Sequence, residues 1–550
     1  MRRFALPVII ALGVAWLFLA SPAQAQDDPE DDPEREFVGS RLCMGCHRDV
    51  GPAHLESRHA LTLSAAADSA VLGDFTQASD ALAVQLPGED APRAVTLDDI
   101  AYAVGTGRTV QRYLVAVEGE AAENETAPTE YLVLPFEWNA LSGQWQPYTL
   151  ADEWPAPEYD WEDQCAACHV TGYAADEAVW LEDGVQCETC HGPGSDHIAV
   201  VRARDASPED VSASIVLSPD SAICGACHSQ GAAADGHPFP VDYVAGENLL
   251  DDYSLVPPND PAHWWPSGHA SRKYMQFNEW LNSTHATSLE GLRSSEHAGD
   301  ACLACHSADG AWALAAAFAA EEGESDAEAE EAPAALTVET AAYGVECVSC
   351  HTIHQPATDE DGEPFEFLLS AEPYAMCVAC HQDTDVTGVI HAPVKEMYEG
   401  ETLIDGIEGV PSAHFAAAGG PTCVTCHMPR VPVDAGTRAS HAFHPVMPGA
   451  ALDAATLQDS CSICHADQVD AGALQALIDD IQADTQARLE AARAAITDES
   501  PDWVDAALRF VEGDGSLGVH NYVYSDVLLD SVENELGLSD EPGAEDAGNP

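Results

Sequence analysis

Basic charge is scarce in this chain. Its 550 residues hold 20 Lys plus Arg against 94 Asp plus Glu, and Lys273 and Lys395 are the only lysines. A formal net charge of −74 repels phosphate backbones and anionic lipid alike, so nucleic acid and anionic membrane are poor partners. The acidity has two readings, which can coexist. One is adaptation to salt, since at about 1 M the screening length falls to about 3 Å and quenches self-repulsion. The other is an acidic face that steers basic partners. Long apolar runs are also missing, with one exception at the start. In "MRRFALPVIIALGVAWLFLASPAQAQ", Arg2 and Arg3 precede an apolar run from Phe4 to Ala20, and Ala23-Gln24-Ala25 forms a small-x-small cleavage site. This reads as a secretory signal peptide over 1–25, with an uncleaved membrane anchor as the alternative. The mature protein is expected to be exported, to the periplasm or to the cell surface.

No cysteine stands alone. An exported chain with 18 cysteines has the material for nine disulfides, but the spacing argues otherwise. The pairs are Cys43/Cys46, Cys165/Cys168, Cys187/Cys190, Cys224/Cys227, Cys302/Cys305, Cys347/Cys350, Cys377/Cys380, Cys423/Cys426 and Cys461/Cys464. Each is followed at once by a histidine: His47, His169, His191, His228, His306, His351, His381, His427 and His465. Nine Cys-x-x-Cys-His motifs, numbered here in chain order, consume every cysteine. Thioether attachment of a haem needs two thiols about one helical turn apart and a histidine turned under the iron. Structural zinc sites have no need of that histidine in every copy, and a thiol redox switch uses one pair. The expected cofactor is therefore nine covalently bound haem c groups.

Methionine is rare as well. Seven are present, and Met1 leaves with the signal peptide. Methionine is thus a poor source of sixth ligands, whereas 23 histidines less nine leave 14. Bis-histidine ligation at every haem is possible with five histidines to spare, and mostly bis-histidine haems of low potential are the expectation. His59 and His285 lie in matching segments, "LESRHALTL" and "LNSTHATSL", which read as an internal repeat. His197, His354, His391, His414, His441 and His520 complete eight candidates, and His269 is the ninth. His54, His237, His263, His297 and His444 stand in reserve.

Along the chain, residues 26–36 form an acidic leader too polar to pack. Residues 37–230 read as an N-terminal cytochrome region carrying motifs one to four, with a β insertion over 95–150. Within it "TVQRYLVAVEG" and "TEYLVLPFEW" are β-branched, aromatic and bounded by turn formers. Residues 231–311 form a connecting region with the fifth motif, and 312–339 an acidic, Ala-rich insertion. Residues 340–537 form a C-terminal multihaem region, and 538–550 a disordered tail. In 470–496, Leu474, Leu477, Ile478 and Ile481 share one helical face. Further helices are expected over about 503–511 and 522–536, the last ending at Gly537. The predicted class is mainly α with extensive loops, wrapped around a haem chain, with a small β subdomain. Porphyrins are expected to supply much of the apolar core, so that removing them unfolds the chain.

Two resemblances follow from these residues. "FVGSRLCMGCHRDV", "ESRHA", "CAACHVTGY" and "GVQCETCHGPGSDH", over about 37–200, resemble the tetrahaem cytochromes that accept electrons from hydroxylamine oxidoreductase. "GVECVSCH", "HAPVKEMY", "AHFAAAGGPTCVTCHMP", "SHAFH" and "VEGDGSLGVHN" resemble the superfamily of ammonia-forming nitrite reductase and octahaem hydroxylamine oxidoreductase. That resemblance implies distal-ligand roles for His391, His414, His441 and His520. The chain departs from the reductases, which hold their catalytic haem through lysine, because every motif here ends in histidine.

Two functions fit these observations. The leading one is electron relay through mostly bis-histidine haems, with redox or other haem proteins as partners. Copies stacked into a filament through an isolated first haem are one version of it. The alternative is an oxidoreductase acting on small nitrogen or sulfur compounds at one five-coordinate haem, and no catalytic residue is assigned for it.

Overall fold

The computed structural model describes residues 35–538 apart from 67–70, 78–81, 120–128, 204, 314–335, 355–356, 360, 385–388, 418, 435 and 453–455. The signal peptide, most of the acidic leader, the centre of the 312–339 insertion and nearly all of the tail lie outside the described residues. Among the described residues, no helix is long and apolar enough to cross a membrane.

The β-rich stretches build one antiparallel sheet. Its strands are β1 (Leu63–Ala65), β2 (Ile100–Val104), β3 (Val110–Glu118), β4 (Thr129–Val133), β5 (Phe136–Asn139) and β6 (Gln144–Pro147). The order is β1-β2-β3-β5-β6, with β4 also on β3, so the sheet recruits a strand from well before residue 95. In β3 successive side chains go to opposite faces. Tyr113 and Val115 pack with Phe75, Leu82, Val95 and Trp138, while Leu114 packs with Leu63, Val133, Trp161 and Ala166. The second face therefore carries Trp161 and the start of the second motif.

Elsewhere the regular structure is short. The motifs sit on single turns such as Ala166–His169, Cys187–His191, Leu303–His306, Cys423–His427 and Ser462–His465. Helices of one turn do not persist in water on their own, because nucleation costs more than one hydrogen bond returns. Something other than helix propensity must hold them, and covalent attachment at both cysteines meets that need. Large apolar clusters lie at the sheet and at the C-terminus, and the clusters between them are small.

Three C-terminal helices form a conventional core: α1 (Ala471–Ala495), α2 (Asp502–Gly513) and α3 (Tyr522–Leu536). The α1 stripe is Leu474, Ile478, Thr485, Leu489 and Ala492. Leu477, expected on that stripe, is 51% exposed, because the buried face follows the i, i+4, i+11 positions. Helix α3 ends at Gly537 with a φ of 68°, the left-handed C-cap expected there.

Candidate haem-attachment sites

Each motif begins as a helical turn, so its two cysteines project on one side while the chain carries the histidine onward. The His47, His351, His381 and His465 amides donate to the carbonyl of their motif's first cysteine at 3.0–3.1 Å. All 18 cysteines are free, so the nine-disulfide alternative falls. Among the described residues no three His, Cys, Asp or Glu side chains converge as a bare metal ion requires. Burial pushes the imidazoles of His169, His228, His285 and His441 down to about 4. They are therefore neutral at pH 7, with a lone pair available to a metal.

The histidine rings meet in pairs. His47 faces His197 with ring centroids 6.2 Å apart, and His228 faces His59 at 6.3 Å. His191 and His354 are 5.7 Å apart, His381 and His285 6.1 Å, and His306 and His391 6.2 Å. His351 and His441 are at 6.3 Å, His465 and His414 at 6.1 Å, and His427 and His520 at 6.0 Å. Two imidazole–metal bonds of about 2 Å, plus about 1.1 Å from each ring centre to its nitrogen, separate centroids by about 6 Å. Eight motif histidines thus face a partner at a spacing that fits one iron, and the partners are the first eight candidates. The residues fit the group.

Outer nitrogens are held as well. The Nδ1 of His191 bonds the Val216 carbonyl at 2.7 Å, that of His351 the Phe367 carbonyl at 2.9 Å, and that of His427 the Phe443 carbonyl at 3.2 Å. Such bonds fix the ring and leave Nε2 for the metal. Phe367 and Phe443 adopt left-handed φ values of 63° and 55°. This is backbone strain placed where a carbonyl must point at a ligand. Nothing in the sequence marks these two residues. His520 differs: burial opposes its charging, but the Asp514 carboxylate 2.7 Å from Nδ1 prevails and raises it.

A repeat organises the pairs. Ser57-x-His59, Ser283-x-His285 and Ser412-x-His414 face the fourth, seventh and ninth motifs, at interplanar angles of 85°, 64° and 67°. After each comes a glycine three residues before a motif's first cysteine: Gly184, Gly344 and Gly420. A Cβ at these glycines would lie 1.9 Å from the Ala60 carbonyl oxygen, 3.0 Å from that of Ala286 and 1.9 Å from that of His414. In the first two units the next amide, Val185 or Val345, donates to the carbonyl of His59 or His285 at 2.9 and 3.2 Å. The chain thus builds one unit three times, and the third copy is too divergent to see without the fold.

The motifs touch in a defined order. First cysteines meet at Cys43/Cys187, Cys224/Cys347 and Cys377/Cys423, and second cysteines at Cys168/Cys227 and Cys305/Cys380. Backbone bonds secure the first two: the Cys187 amide donates to Ser40 Oγ at 3.4 Å and the Cys347 amide to Ser221 Oγ at 2.9 Å. Cys190 and Cys227, Cys350 and the pair Cys377 and Cys380, and Cys426 and Cys464 lie within electrostatic reach of one another. The line runs through motifs 1-3-4-6-7-8-9, with motif 2 branching from 4 and motif 5 from 7. The first motif stands at one end, packed on the third rather than isolated. Cys46 and Cys464, in the two end motifs, are both exposed.

His169 is the exception among motif histidines. Its ring meets Trp161 at 5.5 Å and its Nδ1 lies 3.4 Å from the Thr62 carbonyl, and among the described residues no histidine ring is paired with it. Burial, and then the charge of Arg112, lower it. The Arg112 guanidinium lies over the Tyr148 ring at 4.1 Å and 2.8 Å from Glu137. Tyr274, at a φ of 55°, lies close enough to feel Arg112, Cys168 and Cys165. His269, the ninth candidate, is not brought to any motif histidine. It is fully buried, with Nδ1 on Ser267 Oγ at 2.9 Å, Nε2 on the His444 carbonyl at 3.0 Å, and its ring 4.4 Å from that of His444. Both nitrogens are occupied, which makes it a structural histidine. Of the reserves, His54 bonds the Val185 carbonyl, and His263 and His237 lie against Asp260 and Asp235.

Tethering motifs with paired imidazoles, on short helices with little other core, define a multihaem c-type cytochrome with covalently bound haem. The chain belongs to the family of the outer cell wall cytochrome OcwA, whose crystal structure it matches at a TM-score of 0.70 and 30% identity, over 91% of this chain and 99% of that one. The undecahaem cytochrome from the S-layer of Carboxydothermus ferrireducens shares the fold, at a TM-score of 0.58 and 21% identity over 92% of this chain and 69% of that one. A family profile described as cytochrome c554 and c-prime matches residues 143–192, inside the segment read as similar to tetrahaem cytochromes. A doubled CXXCH profile matches residues 340–386. Among curated proteins, none matches.

Proposed function

We propose that this chain carries nine covalent haems and relays electrons at the cell surface, exported by its N-terminal signal peptide. The observation that carries the reading is the succession of neighbouring motifs from Cys46 to Cys464, joined by the thiol contacts Cys43/Cys187, Cys224/Cys347 and Cys377/Cys423. The cysteine pairs tether each group, the proximal histidines being His47, His169, His191, His228, His306, His351, His381, His427 and His465. The second ligands are His59, His197, His285, His354, His391, His414, His441 and His520. Bound haem supplies one-electron Fe(III)/Fe(II) exchange at low potential, as neutral imidazole donors dictate. Around it the chain's own groups hold ring orientation through Nδ1 bonds, and the buried rings exclude water. The settings of the two relatives, an outer cell wall and an S-layer, support the location. Partners are redox proteins, and the exposed end motifs suit contact with them or with a second copy. Mass spectrometry of the secreted protein tests the cofactor count: nine haem additions are expected. Eight or fewer, with free thiols at a motif, would sink it.

A second reading, as an oxidoreductase on small nitrogen or sulfur compounds, is favoured by one observation, that among the described residues no histidine ring is paired with His169. On this reading Arg112, Tyr148 and Tyr274 would orient a small polar substrate there. Carbon monoxide binding to one reduced haem of nine is the expected result. Uniformly low-spin spectra without any binding would reject it.

A further inference from the structure

The first two repeat units each insert an extra motif, the second (Cys165–His169) and the fifth (Cys302–His306), and these are the two branches of the line. They occupy equivalent places. Thr62 Oγ1 donates to the His169 carbonyl at 3.3 Å and Ser288 Oγ to the His306 carbonyl at 3.0 Å, and each hydroxyl follows its unit's pairing histidine by three residues. The second cysteine of each branch motif meets the second cysteine of its unit's closing motif.

In the second unit the ring facing His306 is His391, ten residues after the closing motif's His381, in the sequence His-Ala-Pro-Val. In the first unit, nine residues after His228, stands His237, in His-Pro-Phe-Pro-Val. His237 borders a cleft of about 240 Å³ together with Asp163 and Gln164, the two residues that lead into Cys165. Its ring is not paired with His169. Instead Nδ1 lies 2.9 Å from Asp235 Oδ2, in an ion-pair contact that holds the ring. The preceding residue, Gly236, has a φ of 101° and open space where a Cβ would stand.

We propose that His237 is a displaceable sixth ligand to the iron held by His169, the counterpart of His391. In one state its Nε2 lone pair forms the coordinate bond, and in the state seen here the ring rests on Asp235. The switch regulates the open site of the second reading and rests on that reading. An incoming ligand must compete with His237 for that iron.

The test uses the full-length holoprotein, with His237→Ala and Asp235→Asn beside it. Ferric spectra and carbon monoxide binding to the reduced protein are measured, with haem content and far-UV circular dichroism as checks on folding. The expected result is a partial high-spin signal from one haem in the natural protein. It becomes a full one-haem signal with faster carbon monoxide binding in His237→Ala, and shrinks in Asp235→Asn. A full one-haem high-spin signal that neither variant alters would overturn the role of His237 while the open site stands. Nine low-spin haems in the natural protein and in His237→Ala would overturn both.

Discussion

Asp514 is placed to set the donor strength of a single imidazole. Its carboxylate is fully buried, accepts from Ser516 and faces His520 Nδ1 at 2.7 Å, whereas the Nδ1 atoms of His191, His351 and His427 meet only carbonyls. A carboxylate makes its imidazole the stronger donor, and a stronger donor favours Fe(III) over Fe(II). Asp514→Asn keeps the shape and removes the charge. The haem held by His427 and His520 should then become easier to reduce, by about 1 kcal/mol or about 40 mV for one electron. A spectroelectrochemical titration should show one midpoint rising and eight unmoved, and Asp514→Glu should return it toward the natural value. At this scale the sequence was most readable at the motifs, because their chemistry is local. The eight partners opposite motif histidines could be nominated from context such as "SRHA" and "SAHF", but His269 entered by counting irons. Counting assumes two imidazoles per iron, and among the described residues His169 faces no second ring.

At the scale of elements, the repeat unit depends on a close approach between its two halves. Gly184 has a φ of 78° and its missing Cβ leaves room for the Ala60 carbonyl. Gly184→Val imposes both left-handed strain of about 1–3 kcal/mol and a steric overlap. His59 should be pushed from its place opposite His228, so that one haem loses its low-spin signature while the thermal midpoint falls. The C-terminal helices answer to different physics. Leu528 is fully buried against Val504, Leu508 and Phe510, with no motif in that cluster. Leu528→Ala should cost about 2–5 kcal/mol in the unfolding of these helices and leave the haem spectrum unchanged. Helix α3 was legible to the residue because an apolar period and a glycine cap coincide. Leu477 was misplaced because an apolar residue beside a stripe carries the same pattern as one on it. The sheet was half legible: β3 and β4 announce themselves, but β1 is three residues whose strand character comes wholly from pairing with β2.

At the scale of the whole molecule, the main line keeps the chain order of its motifs, but the second and fifth leave it as branches. Sequence places the fifth motif between the fourth and the sixth, whereas the fold joins Cys224 to Cys347 directly and hangs Cys305 on Cys380. The reason is that each link is a long-range contact, such as the Cys347 amide on Ser221 Oγ, which no local pattern encodes. This topology makes the motifs unequal. The sixth is the bridge between the group 1-2-3-4 and the group 5-7-8-9, and the fifth is a side branch. Cys347→Ala with Cys350→Ala should yield a protein of eight haems in two separated groups. Cys302→Ala with Cys305→Ala should also yield eight haems, but with the line intact. Transient reduction by a protein donor in substoichiometric amount distinguishes them. The sixth-motif variant should show one fast phase of about half the haems and a second phase slowed at least tenfold, while the fifth-motif variant should keep the single rapid phase of the natural protein. Equal kinetics in both variants would mean that electrons take another route than the contacts between these cysteines.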